Sequence, residues 1–332
     1  MILRHAYADD ELAHLMAHDS DSFNRWEAGQ RLALNVLMRG IEARRRGEPF
    51  TFPDAFVNAC ARLLADAPRD PAFAAEALSL PQAAYLAEQF ELVDPEAIHD
   101  VRLALRRLLA ERLRAEWTAA FETSTTPGPY SPDPVSAGRR ALRNLALGYL
   151  MELNDTAWHA RCLDLLEGAD NMTDAMAALV ALANTDCPER QVALARFHAR
   201  WQHEELVLDK WFGVQASSRL PGTLAEVRAL LTHPSFDIRN PNKVRALIGS
   251  FCHGNHLHFH AGDGSGYAFA SAQVIALDSL NPQVAARLAR AFDRWRKFDA
   301  GRQAHAESAL RRILDTPDLS RDTYEVVSRA LA

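Results

Sequence analysis

The sequence predicts an all-α fold: an irregular, solenoid-like superhelical array of about eighteen short helices. Three observations predict it. Apolar residues recur at three- and four-residue spacing along almost the whole chain. Asp-Pro and Asn-Pro pairs, or Thr and Asn caps such as Asn171 and Thr223, punctuate the periodic segments. Alternating β-branched runs and Asn-Gly hairpins are missing. No strict period repeats, so the array is irregular rather than a consensus solenoid.

The elements follow in order. Residues 9–47 place Leu12, Leu15 and Met16, then Trp26, Leu32, Leu34, Val36 and Leu37, on two apolar stripes separated by a turn at Asp19–Asp21. Helices open near Pro53, Pro71 and Pro81, where proline's missing N–H is harmless in a first turn. After DPEAIHD, Ile98, Val101, Leu105, Leu109, Leu113, Trp117 and Phe121 keep one stripe over more than six turns. TSTTPGPYSPDPVSAG (123–138) carries four prolines and two glycines and reads as an exposed loop. Helices resume at Arg139 and continue to Ala332, the whole chain reading as a single helical domain, 1–332.

The chain has 332 residues, 48% of them hydrophobic and 24% charged, and a formal net charge of −6. That charge gives no global attraction to nucleic acid or to an anionic membrane. The N-terminus MILRHAYADDELAHL lacks a signal-peptide core, and no window of about 18 apolar residues occurs. Cys60, Cys162, Cys187 and Cys252 form no CxxC pair. Reduced thiols in the cytoplasm fit better than a disulfide framework or structural zinc.

Several motifs invite a chemical reading. HEELV at His203–Val207 lacks the second histidine of the zinc-peptidase HExxH signature. LMELN (150–154) departs from a peptide-binding Gly-x-Met-Glu-Asn motif and fits an amphipathic helix. His253, His256, His258 and His260 fall within eight residues. They read as exposed loop histidines, with a self-contained metal site as the alternative. GDGSG (262–266) lacks the GK[ST] ending of a phosphate loop. No G-x-S-x-G nucleophile elbow occurs. Arg245 and Arg287 each follow an Asn-Pro helix start. They read as a solvated basic edge or as guanidinium forks for a carboxylate.

Longer segments carry a resemblance. FNRWEAGQRL (23–32), ALSLPQ (77–82), VDPEAIHDVRLAL (93–105), RRALRNLALGYL (139–150), DNMTDAMAAL (170–179), LVLDKWFGVQA (206–216), NPNKVRALIGSF (240–251), HAGDGSGYAF (260–269) and NPQVAARL (281–288) lie in one order along the chain. Together with the tail DTYEVVSRALA, they closely resemble the C-terminal helical domain of bacterial aminopeptidase N, in the M1 family of zinc aminopeptidases. The match spans essentially the whole chain. In that family the loop pattern corresponds to His260, Asp263, Gly264, Ser265, Gly266 and Tyr267, leaving His253, His256 and His258 incidental.

The resemblance implies a noncatalytic domain packed over a zinc-bearing catalytic domain that is absent here. It implies no metal or cofactor in this chain, zinc in the intact enzyme, and Met1 as the start of a fragment. Its partners would be that catalytic domain and peptide substrates, without nucleic acid or membrane. Arg245 and Arg287 would face the enclosed cavity and meet a peptide's carboxyl end. The fragment alone would be inactive. The alternative is an independent helical scaffold with a concave face for protein partners.

Overall fold

Side-chain caps decide where these helices begin. An Asp-Pro or Asn-Pro pair starts five of them, Asp94-Pro95 included. Asp70, Asp133, Asn240 and Asn281 each accept a first-turn backbone N–H, and proline follows directly. Asn171 caps in the same way. The computed structural model describes residues 7–332, and among them are nineteen α-helices and no strand. The first six residues of the stretch inspected for a signal sequence lie outside the described ones.

Some boundaries differ from those the sequence suggests. Thr223 is not a cap: Gly222 holds the N-cap position in a left-handed conformation. The buried Thr223 hydroxyl instead donates to the Leu220 and Ser218 carbonyls. Pro53 is the residue before its helix, Asp54–Asp66, and Pro81 precedes Ala83–Glu88 by two. The long stripe from Ile98 to Phe121 is buried throughout, yet it runs over two helices, Pro95–Arg112 and Arg114–Thr123. The break falls at Leu113. There the Trp117 indole N–H donates to the Leu109 carbonyl at 3.1 Å, and this extra donor marks the kink. The loop read at 123–138 is shorter, because Asp133 and Pro134 start the helix Pro134–Leu150 five residues before Arg139.

The residues cluster into two compact units. The first comprises the chain up to Leu86 and Ala97–Arg190. Its core centres on Trp117 stacked on Tyr149 at 4.1 Å, with the Tyr149 hydroxyl donating to the Leu78 carbonyl. Phe121 meets Trp158 edge-on nearby. The second comprises Ala87–Glu96 and Gln191–Ala332. Phe259 lies at the centre of an aromatic group with Phe251, Tyr267 and Phe292. The short segment Ala87–Glu96 is held within it by the Val93 N–H to Lys297 carbonyl bond and by Glu88 paired with Arg294.

The glycine-rich turn of the second unit is a packing device. Gly264, at φ +73°, is the left-handed cap of the helix Ser265–Asp278. The Asp263 carboxylate accepts the Ser265 N–H, the donor that a phosphate would otherwise use. A Cβ on Gly266 would lie 2.2 Å from the Phe259 carbonyl oxygen. Gly266→Ala is therefore expected to lower the unfolding free energy by about 2–3 kcal/mol. Urea titration checks this; an unchanged midpoint would mean that the backbone moves aside freely.

Candidate functional site

The candidate site begins at the Asn240-Pro241 start. One turn of α-helix, Pro241–Val244, passes directly into a ten-residue π-helical run, Arg245–Gly254. Runs of this type are rare and are found disproportionately at functional sites. Residues four apart share one face of a helix. Arg245, Gly249 and His253 form such a row on one wall of a cavity of about 220 Å³. The other wall is the helix Pro282–Ala289, which contributes Gln283, Val284, Arg287 and Leu288. The structure thus brings Arg245 and Arg287 into one cavity, although 41 positions separate them in the sequence.

The electrostatics of this groove are one-sided. Both arginines are exposed, and the walls carry no carboxylate. Arg245 donates to the Asn242 amide oxygen at 3.1 Å, which orients its guanidinium without neutralising it. The Arg287 side chain makes no hydrogen bond or ion pair among the described residues, whereas the nearby Arg290 is paired with Asp293 at 3.0 Å. The buried side chains of Val244 and Leu288 supply apolar surface beside the two guanidinium groups. Gly249 leaves the space between them open: an added Cβ would reach only ordinary contact, 3.7 Å from Arg245 Cγ. Sequence reading found the two arginines, took His253 only as one of four loop histidines, and missed Gly249 and Gln283.

The histidines do not form one exposed loop. His253 ends the π run, and His256 and His258 belong to a single helical turn, His256–Phe259. His260 is buried, stacked on Phe298 at 3.9 Å and hydrogen-bonded through Nδ1 to the Tyr267 hydroxyl at 2.8 Å. Arg302 donates to the His260 carbonyl and pairs with Glu96 and Asp299. HEELV straddles a turn and the start of a helix, with His203 exposed, and does not present the geometry of a zinc-peptidase helix. LMELN is not a helix interior either. It closes a helix through a tight 3-10 turn, and Asn154 is left-handed at φ +52°. Among the described residues, one group of three metal-capable donors converges: His159, Cys187 and Glu189.

A family model for a domain of unknown function (DUF3458_C) with ARM repeats matches residues 9–332. The chain belongs to this family. As a DUF3458_C domain it is also similar to the C-terminal region of aminopeptidase N. It is 37% identical to aminopeptidase N of Escherichia coli (strain K12) over 330 residues, 99% of this chain and 38% of that protein. It is 37% identical to aminopeptidase N of Caulobacter vibrioides, over 96% of this chain and 36% of that one. The crystal structure of Legionella pneumophila aminopeptidase A in complex with aspartic acid superimposes with a TM-score of 0.89 at 28% identity, covering 99% of this chain and 39% of that one. The chain therefore spans under two-fifths of the length of these relatives. The ARM-repeat match and this superposition bear out the all-α array read from the sequence.

Acid should weaken the DUF3458_C domain through its buried imidazoles. Burial holds the His260 pKa well below the ordinary value, and His256 and Arg302 add to the effect. Burial also lowers those of His256 and His258. Below the unfolded value near 6.5, the unfolded chain takes up a proton that folded His260 refuses, so stability falls as pH falls. The expected slope approaches about 1.4 kcal/mol per pH unit for such a residue between pH 6 and 5. Urea unfolding at several pH values measures it, and His260→Gln is expected to flatten the curve.

Proposed function

We propose that this chain is the noncatalytic C-terminal domain of an M1-type zinc aminopeptidase, and that it covers the catalytic domain and restricts access to it. The intact enzyme would release N-terminal residues from peptides by metal-activated water. Its zinc would belong to the catalytic domain, since HEELV does not fit a zinc-peptidase site. The similarity to aminopeptidase N over 99% of this chain supports the reading. The four free thiols fit a cytoplasmic enzyme, and no helix among the described residues is long and apolar enough to cross a membrane.

The observation that carries a substrate role is the uncompensated cationic groove. Arg245 and Arg287 flank an apolar floor with no acid in the walls, a setting that suits a peptide's terminal carboxylate beside its last side chain. Gly249 keeps the entrance wide enough for that side chain. In the enzyme that carries both domains, Arg287→Ala is expected to raise KM about tenfold or more for peptides with a free carboxyl end. It should leave amidated peptides unaffected. Gly249→Met should impair both classes by filling the cavity. Equal losses for free and amidated peptides in Arg287→Ala would remove the carboxylate role. The chain alone is expected to show no turnover of an alanyl reporter.

A further inference from the structure

Away from the arginine groove, in the first compact unit, three chemically different donors converge. His159 lies in the first turn of the helix Thr156–Gly168. Cys187 immediately precedes the helix Pro188–Trp201, and Glu189 is its second residue. One ligand atom from each lies within 4.8 Å of the other two. The loop that delivers Cys187 is fixed by two side-chain bonds, from Asn184 to the Val180 carbonyl and from Thr185 to the Ala181 carbonyl.

The histidine is buried and unanswered. His159 is 4% exposed, yet its Nε2 has no hydrogen-bond partner. The Glu189 carboxylate is hydrogen-bonded to the Cys187 thiol, but its Oε2 is buried without a partner. Buried polar atoms in folded proteins are almost always satisfied, so an orphaned imidazole nitrogen in this cluster asks for a partner. Neighbouring polar groups are committed elsewhere. Cys162 Sγ contacts the Ala178 carbonyl at 3.5 Å, and Arg190 Nε donates to the Ala183 carbonyl.

We propose that His159, Cys187 and Glu189 form a binding site for a transition-metal dication, with zinc the best fit. Imidazole nitrogen, thiolate sulfur and carboxylate oxygen are all zinc ligands, and a thiolate in the set disfavours magnesium and calcium. Thiolate and carboxylate together balance the dication's charge. Three protein ligands leave a fourth position for water or an incoming group. Cys187 and Glu189 are only half-buried, which gives the ion a route in. Metal loading exchanges the sulfur-bound proton of the Cys187 thiol for a metal–sulfur bond and releases that proton to solvent. The site would tie the start of one helix to the start of another.

The test uses the full 332-residue chain, stripped with a chelator and titrated with cobalt(II). The expected result is one cobalt per chain with a thiolate-to-cobalt charge-transfer band. Cys187→Ser should abolish the band, and His159→Gln or Glu189→Gln should weaken binding about tenfold or more. Cys162→Ser should retain the band. Absence of stoichiometric binding overturns the proposal, as does binding that survives Cys187→Ser but is lost in His256→Gln. A second measurement needs no variant. Cys60, Cys162 and Cys252 are buried, so Cys187 is the thiol that a gentle alkylating reagent should reach first. Zinc should slow that reaction; an unchanged rate counts against the site.

Discussion

The groove depends on a buried ammonium. Lys243 is 2% exposed, and its Nζ lies 2.6 Å from Glu205 and 2.9 Å from Asp209. Burial alone would lower its pKa, but the hydrogen bonds from Nζ to those two carboxylates outweigh burial and raise it. An unpaired charge in that position would be expensive, so the pair fixes the point at which Pro241–Val244 meets the helix Glu205–Ala216. The far end of the π run is fixed by a second buried polar group. Asn255 donates to the carbonyls of Ala216 and Ser218, at 2.9 and 2.8 Å, and accepts from the His258 N–H. Both anchors close on the same partner helix and its C-terminal turn. The wide helix between them is therefore set by its ends.

Charge around the groove is distributed unevenly, and the unevenness is informative. Several arginines of the second unit meet acids: Arg290 with Asp293, Arg294 with Glu88, Arg302 with Glu96 and Asp299. Exposed pairs such as Arg290 with Asp293 contribute little to stability. Asp293 is hydrogen-bonded by Arg290 and also acts electrostatically on His253 in the cavity wall. Arg287 is left without a counter-ion beside Leu288 and Val284. The groove therefore sets an exposed guanidinium beside apolar surface.

Much of this was legible in the sequence, for reasons that can be stated residue by residue. The Asp-Pro and Asn-Pro starts are local chemistry, so Asp70, Asp133, Asn240 and Asn281 announce their helices without tertiary information. The stripe from Ile98 to Phe121 was legible as burial, but the break at Leu113 was not, because it involves an indole reaching back along the chain. The pairing of Arg245 with Arg287 across one cavity was suggested by their parallel contexts and by the resemblance, and the fold supplies the proximity. The His159–Cys187–Glu189 group was invisible, because 27 residues separate its first two members and metal-ligand spacing rules address shorter intervals. The histidine run misled in the opposite direction. Its close spacing suggests convergence, but burial and the partners of His260 disperse it.

The groove joins two stretches far apart in the sequence, so spacing alone could not place it. Residues four apart share one face of a helix, and Arg245, Gly249 and His253 line one side of the cavity in this way. Gly249 leaves the middle of that side without a side chain, while Ile248 and Phe251 stay in the core. The two buried anchors thus act on one outcome. They set the segment that presents Arg245 to the cavity, across from Arg287.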